Sequence, residues 1–166
     1  MRRIALLAAT LTLCLCAMAL DRARASDPQP FERGSWAKIR VDHAGRPTIF
    51  HFWGLTCAPC LVELPRWGEL LAKRPDLRLV LIAADPLPQP PQQVAATLQR
   101  AGLARAESWS FADRFYEKLR FEIDPRWAGE LPRTMMIGAD GTATALPGVA
   151  DLAKVRAWLD AQAATR

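Results

Sequence analysis

The sequence is poor in metal-ligating and cross-linking side chains. It holds two histidines and four cysteines in 166 residues. Four cysteines are too few for a disulfide framework. Two of them, Cys14 and Cys16, lie in an N-terminal stretch that reads as a leader. The rest of the chain offers only Cys57, Cys60, His43 and His51, and the two histidines lack the H-x3–5-H spacing of a zinc site, so a structural zinc centre is not expected. No internal repeat is present, and collagen-like and coiled-coil architectures are excluded. No basic stripe interleaved with aromatics occurs, so nucleic acid is not an expected partner. What remains is one domain's length of chain, 51% apolar and 23% charged, enough for a globular core.

The first 25 residues have the layout of a secretory signal peptide. Arg2 and Arg3 form a positive start. An uncharged, mostly apolar run follows from Ile4 to Leu20. Ala23-Arg24-Ala25 gives a cleavage site before Ser26, with Ala17-Met18-Ala19 as a second. The alternative is an uncleaved anchor, because the 17-residue run is long for a signal core and just reaches spanning length. Membrane contact is expected only in that case. The leader's four arginines and one aspartate account for +3 of the formal +5, leaving +2 on residues 26–166.

Apolar periodicity places the elements of that domain. Thr48–Trp53 reads as a strand, rich in β-branched and aromatic residues. A helix should start near Cys57, since Cys60, Leu64, Trp67 and Leu71 form one stripe. Pro65 lies inside the stripe and is expected to kink the helix without ending it. Leu77–Ala83 reads as a strand covered on both faces. Asp85 to Pro91, with four prolines, reads as a loop. Gln92–Ala101 looks helical, and Phe111, Phe115 and Leu119 give a further helical stripe. Thr134–Ile137 and Thr142–Ala145 read as strands joined by an Asp140-Gly141 turn. Asp151 can cap a last helix that buries Leu152, Val155, Leu159 and Ala163. The order β-α-β-α-α-β-β-α implies an α/β fold with a mixed sheet.

Cys57-Ala58-Pro59-Cys60 is the sharpest chemical feature. Two cysteines so spaced can close a disulfide across one helical turn. The first sulfur would sit at a helix N-terminus, where free N–H groups and the dipole favour a thiolate. Cys57 is therefore the candidate nucleophile, and Cys60, on the buried stripe, the candidate resolving thiol. The rival readings are half a zinc site and a purely structural bridge, and a bridge closing so short a loop constrains the unfolded chain little.

The segment Phe50–Pro65 contains C-x-x-C-x-x-E-x-P and resembles the active-site region of TlpA/ResA-like thiol-disulfide oxidoreductases of the thioredoxin superfamily. Leu131–Gly141 resembles that family's second motif, and Gly148 fits its glycine before the final helix. The resemblance runs from about Phe31 to the end. It implies a thioredoxin-like fold, with a central mixed sheet flanked by helices on both faces. It implies a redox-active Cys57–Cys60 disulfide and no cofactor. It implies a cis Pro132 facing the disulfide, with the Leu131 backbone free to pair with a substrate strand. Glu63 matches a glutamate that affects thiol protonation in ResA-like members; a solvated helix carboxylate is its plainer reading. Two positions depart from the pattern. Thr56 stands where tryptophan usually precedes the first cysteine, which alters the surface that meets a partner. His51 stands where thioredoxins have a buried acid; it is either a proton-exchanging group near Cys60 or a hydrogen-bonded core histidine. Trp53 and Trp127 are near-site candidates whose default is core packing.

The resemblance further implies an exported, periplasmic protein-disulfide reductase. Its substrates would be disulfide-containing exported proteins, such as those of cytochrome c biogenesis or respiratory copper-site assembly. A membrane thiol-disulfide relay would donate electrons, since an oxidising compartment does not keep dithiols reduced. The alternative from another class is a Cu(I)-binding metallochaperone, because soft thiolates suit Cu(I). Copper proteins of the same superfamily, however, use C-x-x-x-C and a later histidine, and none follows His51 here.

Overall fold

The structure, a computed structural model, describes residues 27–164. The leader and its cleavage sites lie outside the described residues. Along the chain the elements are β1 (Gln29–Phe31), α1 (Ser35–Asp42), β2 (Thr48–Trp53), α2 (Ala58–Lys73), β3 (Leu79–Ala83) and α3 (Pro91–Arg100). They continue with β4 (Glu107–Phe111), α4 (Tyr116–Ile123), β5 (Arg133–Ile137), β6 (Ala143–Pro147) and α5 (Leu152–Ala164).

The six strands form one sheet in the order β1-β4-β3-β2-β5-β6. The pairs β1/β4, β4/β3 and β3/β2 are parallel, while β2/β5 and β5/β6 are antiparallel. Phe50 lies opposite Val80 on one side and Met135 on the other. Successive strand residues face opposite ways, so β2 feeds two cores. Ile49 and Trp53 join Leu64, Trp67, Val94, Leu98 and Val155 under α2, α3 and α5. Phe50 and Phe52 join Trp36, Ile39, Leu119 and Ile123 under α1 and α4. All six β2 residues are buried, as a central strand covered on both faces requires.

The expected mixed α/β sheet with helices on both faces is present, and three of its elements escaped the periodicity reading. β1, α1 and β4 were not expected. Phe111, placed on a helical stripe, is instead the last residue of β4, and the helix that follows starts only at Tyr116. The strand Glu107-Ser108-Trp109-Ser110-Phe111 turns Trp109 and Phe111 into one core and its serines to the other face. That is a period of two, and Phe115 next to it mimicked a helical spacing. Phe115 itself is exposed. β3 begins at Leu79, two residues later than expected, because Leu77 closes a turn onto Arg74. Helix α2 continues through Pro65 to Lys73. Ala163 faces solvent, although Leu152, Val155 and Leu159 are buried. Asp151 accepts from the Ala153 N–H at 2.9 Å, as a cap should. Gly141 takes φ +82° in the β5–β6 turn, a conformation that side-chain-bearing residues resist.

Candidate active site

Strand β2 ends at Trp53, and Gly54, Leu55 and Thr56 lead into Cys57, the N-cap of α2. Pro59 falls in the first helical turn, where a missing N–H costs no intrahelical bond. Cys57 and Cys60 are joined in a disulfide, with Cα atoms 5.2 Å apart. Cys57 Sγ accepts from the Cys60 N–H at 3.3 Å. The two sulfurs are unequal. Cys57 is partly exposed and flanked by exposed Thr56 and Ala58, whereas Cys60 is wholly buried against the core under α2. One sulfur is open to a partner and the other is reached only from within.

The second motif arrives at the same end of the sheet. Arg133 pairs with Phe52, so Pro132 enters β5 beside the end of β2 from which the disulfide loop departs. The Leu131–Pro132 peptide is cis. Leu131 packs against both cores. The segment before it is tied down. Arg133 Nη2 lies 2.6 Å from Asp124 Oδ2, with both side chains about nine-tenths buried, and its Nη1 bonds Glu130 at 3.0 Å. The Trp127 indole N–H donates to the Glu130 carbonyl at 3.0 Å, and its ring lies 5.0 Å from that of Phe52.

Three residues along α2 from Cys60 lies a buried polar group. Glu63 is 1% exposed. Its Oε1 accepts from the Trp67 indole N–H and the Ala150 N–H, each at 2.9 Å, and Oε2 has no partner among the described residues. Burial pushes the carboxyl above its ordinary value, against the pull of those two donors. The plainer reading of Glu63 as a solvated helix carboxylate does not hold: this carboxyl is inside. His51 is fully buried, its Nδ1 3.0 Å from Thr134 Oγ1 and its ring 5.0 Å from that of Trp67. Burial lowers its pKa to about 3, so the imidazole is neutral at physiological pH. His51 Nε2 and Trp53 Nε1 are likewise without partners among the described residues.

Thr56 is exposed, yet its hydroxyl donates to Asp85 Oδ1 at 2.9 Å. Asp85, at the end of β3, was visible in the sequence only as the start of a proline-rich loop. An acid at the carboxyl end of a strand neighbouring the C-x-x-C turn was the available signal. The Asp124–Arg133 pair had no local signal. An open hollow of about 670 Å³ lies between α2 and α3, lined in part by Leu55, Leu61, Pro65 and Ala96. The described residues contain no group of three or more His, Cys, Asp or Glu placed to hold a metal ion.

No family model and no curated protein matches the chain. Solved structures do. A secreted Mycobacterium tuberculosis disulfide oxidoreductase homologous to E. coli DsbE superposes with a TM-score of 0.53 at 21% identity, over 65% of this chain and 73% of that one. StoA from Bacillus subtilis gives 0.53 at 20% identity, over 72% and 86%. A thioredoxin-like protein in its oxidised form gives 0.53 at 17% identity, over 72% and 78%. The chain thus has the thioredoxin-like fold, with an oxidised C-x-x-C pair at the head of α2.

Proposed function

We propose that this protein is an exported thiol-disulfide oxidoreductase that works as a reductant. One observation carries the reading: the disulfide joins an accessible sulfur at a helix N-terminus to a fully buried partner. That asymmetry fits a two-step exchange. The Cys57 thiolate attacks one sulfur of a target disulfide. A mixed disulfide forms, and the target's other sulfur leaves as a thiolate and takes up a proton. Cys60 then gives up its proton, attacks Cys57 Sγ and releases the target's second sulfur. Two electrons have passed from the dithiol to the target, and the protein is left with the Cys57–Cys60 bond.

The neighbouring residues have work in this cycle. Glu63, buried, raised in pKa and with Oε2 unpartnered, takes the Cys60 proton. Pro132 and the Leu131 backbone receive the extended target chain. His51 stays neutral and supports Trp67, whose indole N–H holds Glu63 in place. Trp53, Thr56 and Pro59 shape the strand, the loop and the first helical turn around the pair.

The N-terminal leader supports export to the periplasm. The targets are disulfides of exported proteins, with apocytochrome c or respiratory copper-site cysteines as the substrates that the family resemblance favours. A membrane thiol-disulfide relay returns the electrons. The fold neighbours support the thiol-disulfide part of the reading, since two are described as a disulfide oxidoreductase and a thioredoxin-like protein.

The test is the reduction potential of the pair, measured against defined thiol ratios with the thiols trapped. A value near or below about −220 mV, at the glutaredoxin reference or toward that of thioredoxin, is expected for a reductant. A value near about −120 mV would make the protein a disulfide donor. A pair that cannot be cycled reversibly would end the exchange reading. With Cys60→Ser, mixed disulfides to exported proteins should accumulate on Cys57; with Cys57→Ser they should not.

A further inference from the structure

We infer that Asp85 is a positioning residue for the disulfide: its carboxylate holds the two residues before Cys57 and sets a fixed negative charge behind the nucleophilic sulfur, making the dithiol a stronger reductant. The inference rests on the exchange function proposed above.

Three hydrogen bonds converge on this one side chain. The Leu55 N–H donates to Asp85 Oδ2 at 2.9 Å. The Thr56 N–H donates to Oδ1 at 3.1 Å, and the Thr56 hydroxyl to the same oxygen at 2.9 Å. Asp85 is 2% exposed, and a carboxylate so buried demands such donors. The Ala84 N–H bonds the Trp53 carbonyl at 2.8 Å, which carries the β2–β3 ladder up to Asp85 and fixes where its side chain begins. Gly54 completes the fit. A Cβ there would come within 2.9 Å of Asp85 Oδ1, so the carboxylate lies flush against the loop backbone. Thr56 adds a third donor that a tryptophan at that position could not direct the same way.

The electrostatic consequence follows from what a thiolate needs. N–H groups and the dipole at the start of α2 stabilise an anion at Cys57. The Cys60 N–H of that first turn lies on Cys57 Sγ. Against it, the Asp85 carboxylate, bonded to the two residues before Cys57, opposes a second negative charge on the loop. A dithiol whose thiolate is less stabilised gives up its electrons more readily; the strong oxidant in this chemistry is the one whose reduced form is favoured.

The experiment is Asp85→Asn in the full protein, equilibrated with dithiothreitol ratios at pH 7 beside the wild type. The equilibrium constant should move toward the dithiol by at least about threefold, a rise of about 14 mV for two electrons. A folded variant that moves less, or moves toward the disulfide, overturns the assignment. Should the variant fail to fold, amide exchange in the wild type decides. Leu55 and Thr56 N–H groups protected in both redox states sustain the clamp; free exchange in either state overturns it. A wild-type pair that does not cycle reversibly refutes the exchange function and this inference together. A reversible wild type with an unmoved variant refutes this inference alone.

Discussion

Replacing Arg133 by methionine removes one half of a buried ion pair at the entrance to β5. Arg133 and Asp124 are 8% and 11% exposed at their side chains, and their closest atoms are 2.6 Å apart. Breaking such a pair by deleting one partner costs about 3–5 kcal/mol, because the surviving charge stays buried. Asp124 keeps the Arg126 N–H on Oδ1 at 3.0 Å, so the low end applies. Arg133→Met should therefore lose about 3 kcal/mol, a hundredfold or more in the unfolding constant. Urea unfolding of the oxidised protein, followed by tryptophan emission, measures this directly. Adding Asp124→Leu to the same chain should recover at least half of the loss, since a matched apolar pair is tolerated where a lone charge is not. Turnover of a disulfide substrate should fall in Arg133→Met, because the segment that delivers Leu131 and Pro132 is loosened, while the reduction potential holds. A loss under about 1 kcal/mol, or a double variant weaker than the single, would refute the argument.

Two further outcomes concern pH. Burial raises the folded-state pKa of Glu63, so the native protein holds this proton more tightly than the unfolded chain does. Wild-type stability should then fall relative to Glu63→Gln as pH rises above the ordinary carboxylate range, and match it most closely below that range. Urea titrations at pH 4, 6 and 8 check the trend, and a flat difference would contradict it. The opposite sign holds for His51, whose folded-state pKa is depressed to about 3 from 6.5. Its contribution is complete above pH 6.5 and is lost as pH falls toward 3. His51→Asn should flatten that acid limb; an unchanged slope would show that the imidazole is hydrated in the native state.

The parts of the site that were legible in the sequence are those set by local spacing. Cys57 caps the helix that carries Cys60 and Glu63, so their relation follows from the helical period. The Asp140-Gly141 turn and the Asp151 cap are likewise local. What escaped depends on distant chain segments. Asp85 meets Leu55 and Thr56 across about thirty residues, and its own neighbourhood of prolines spoke only of a loop. Strand β4 carries Ser108 and Ser110 on its second face, which broke the apolar run by which buried parallel strands are recognised. Helix α1 buries only Trp36 and Ile39, too few positions to establish a period. The interior placement of Glu63 needed Ala150 and Trp67 to come together, and no spacing within α2 announces the loop that supplies Ala150.

The outer strands have a consequence for how the molecule behaves among unfolded chains. β1 is three residues long and includes Pro30, and β6 ends on Pro147. Proline offers no donor to a ladder, and a strand of three residues is a poor template. A protein with an open sheet margin runs the risk of annealing extended polypeptides to it. With both margins blunted, such chains find little to zip onto along the flanks. The sheet is thereby a poor seed for their aggregation.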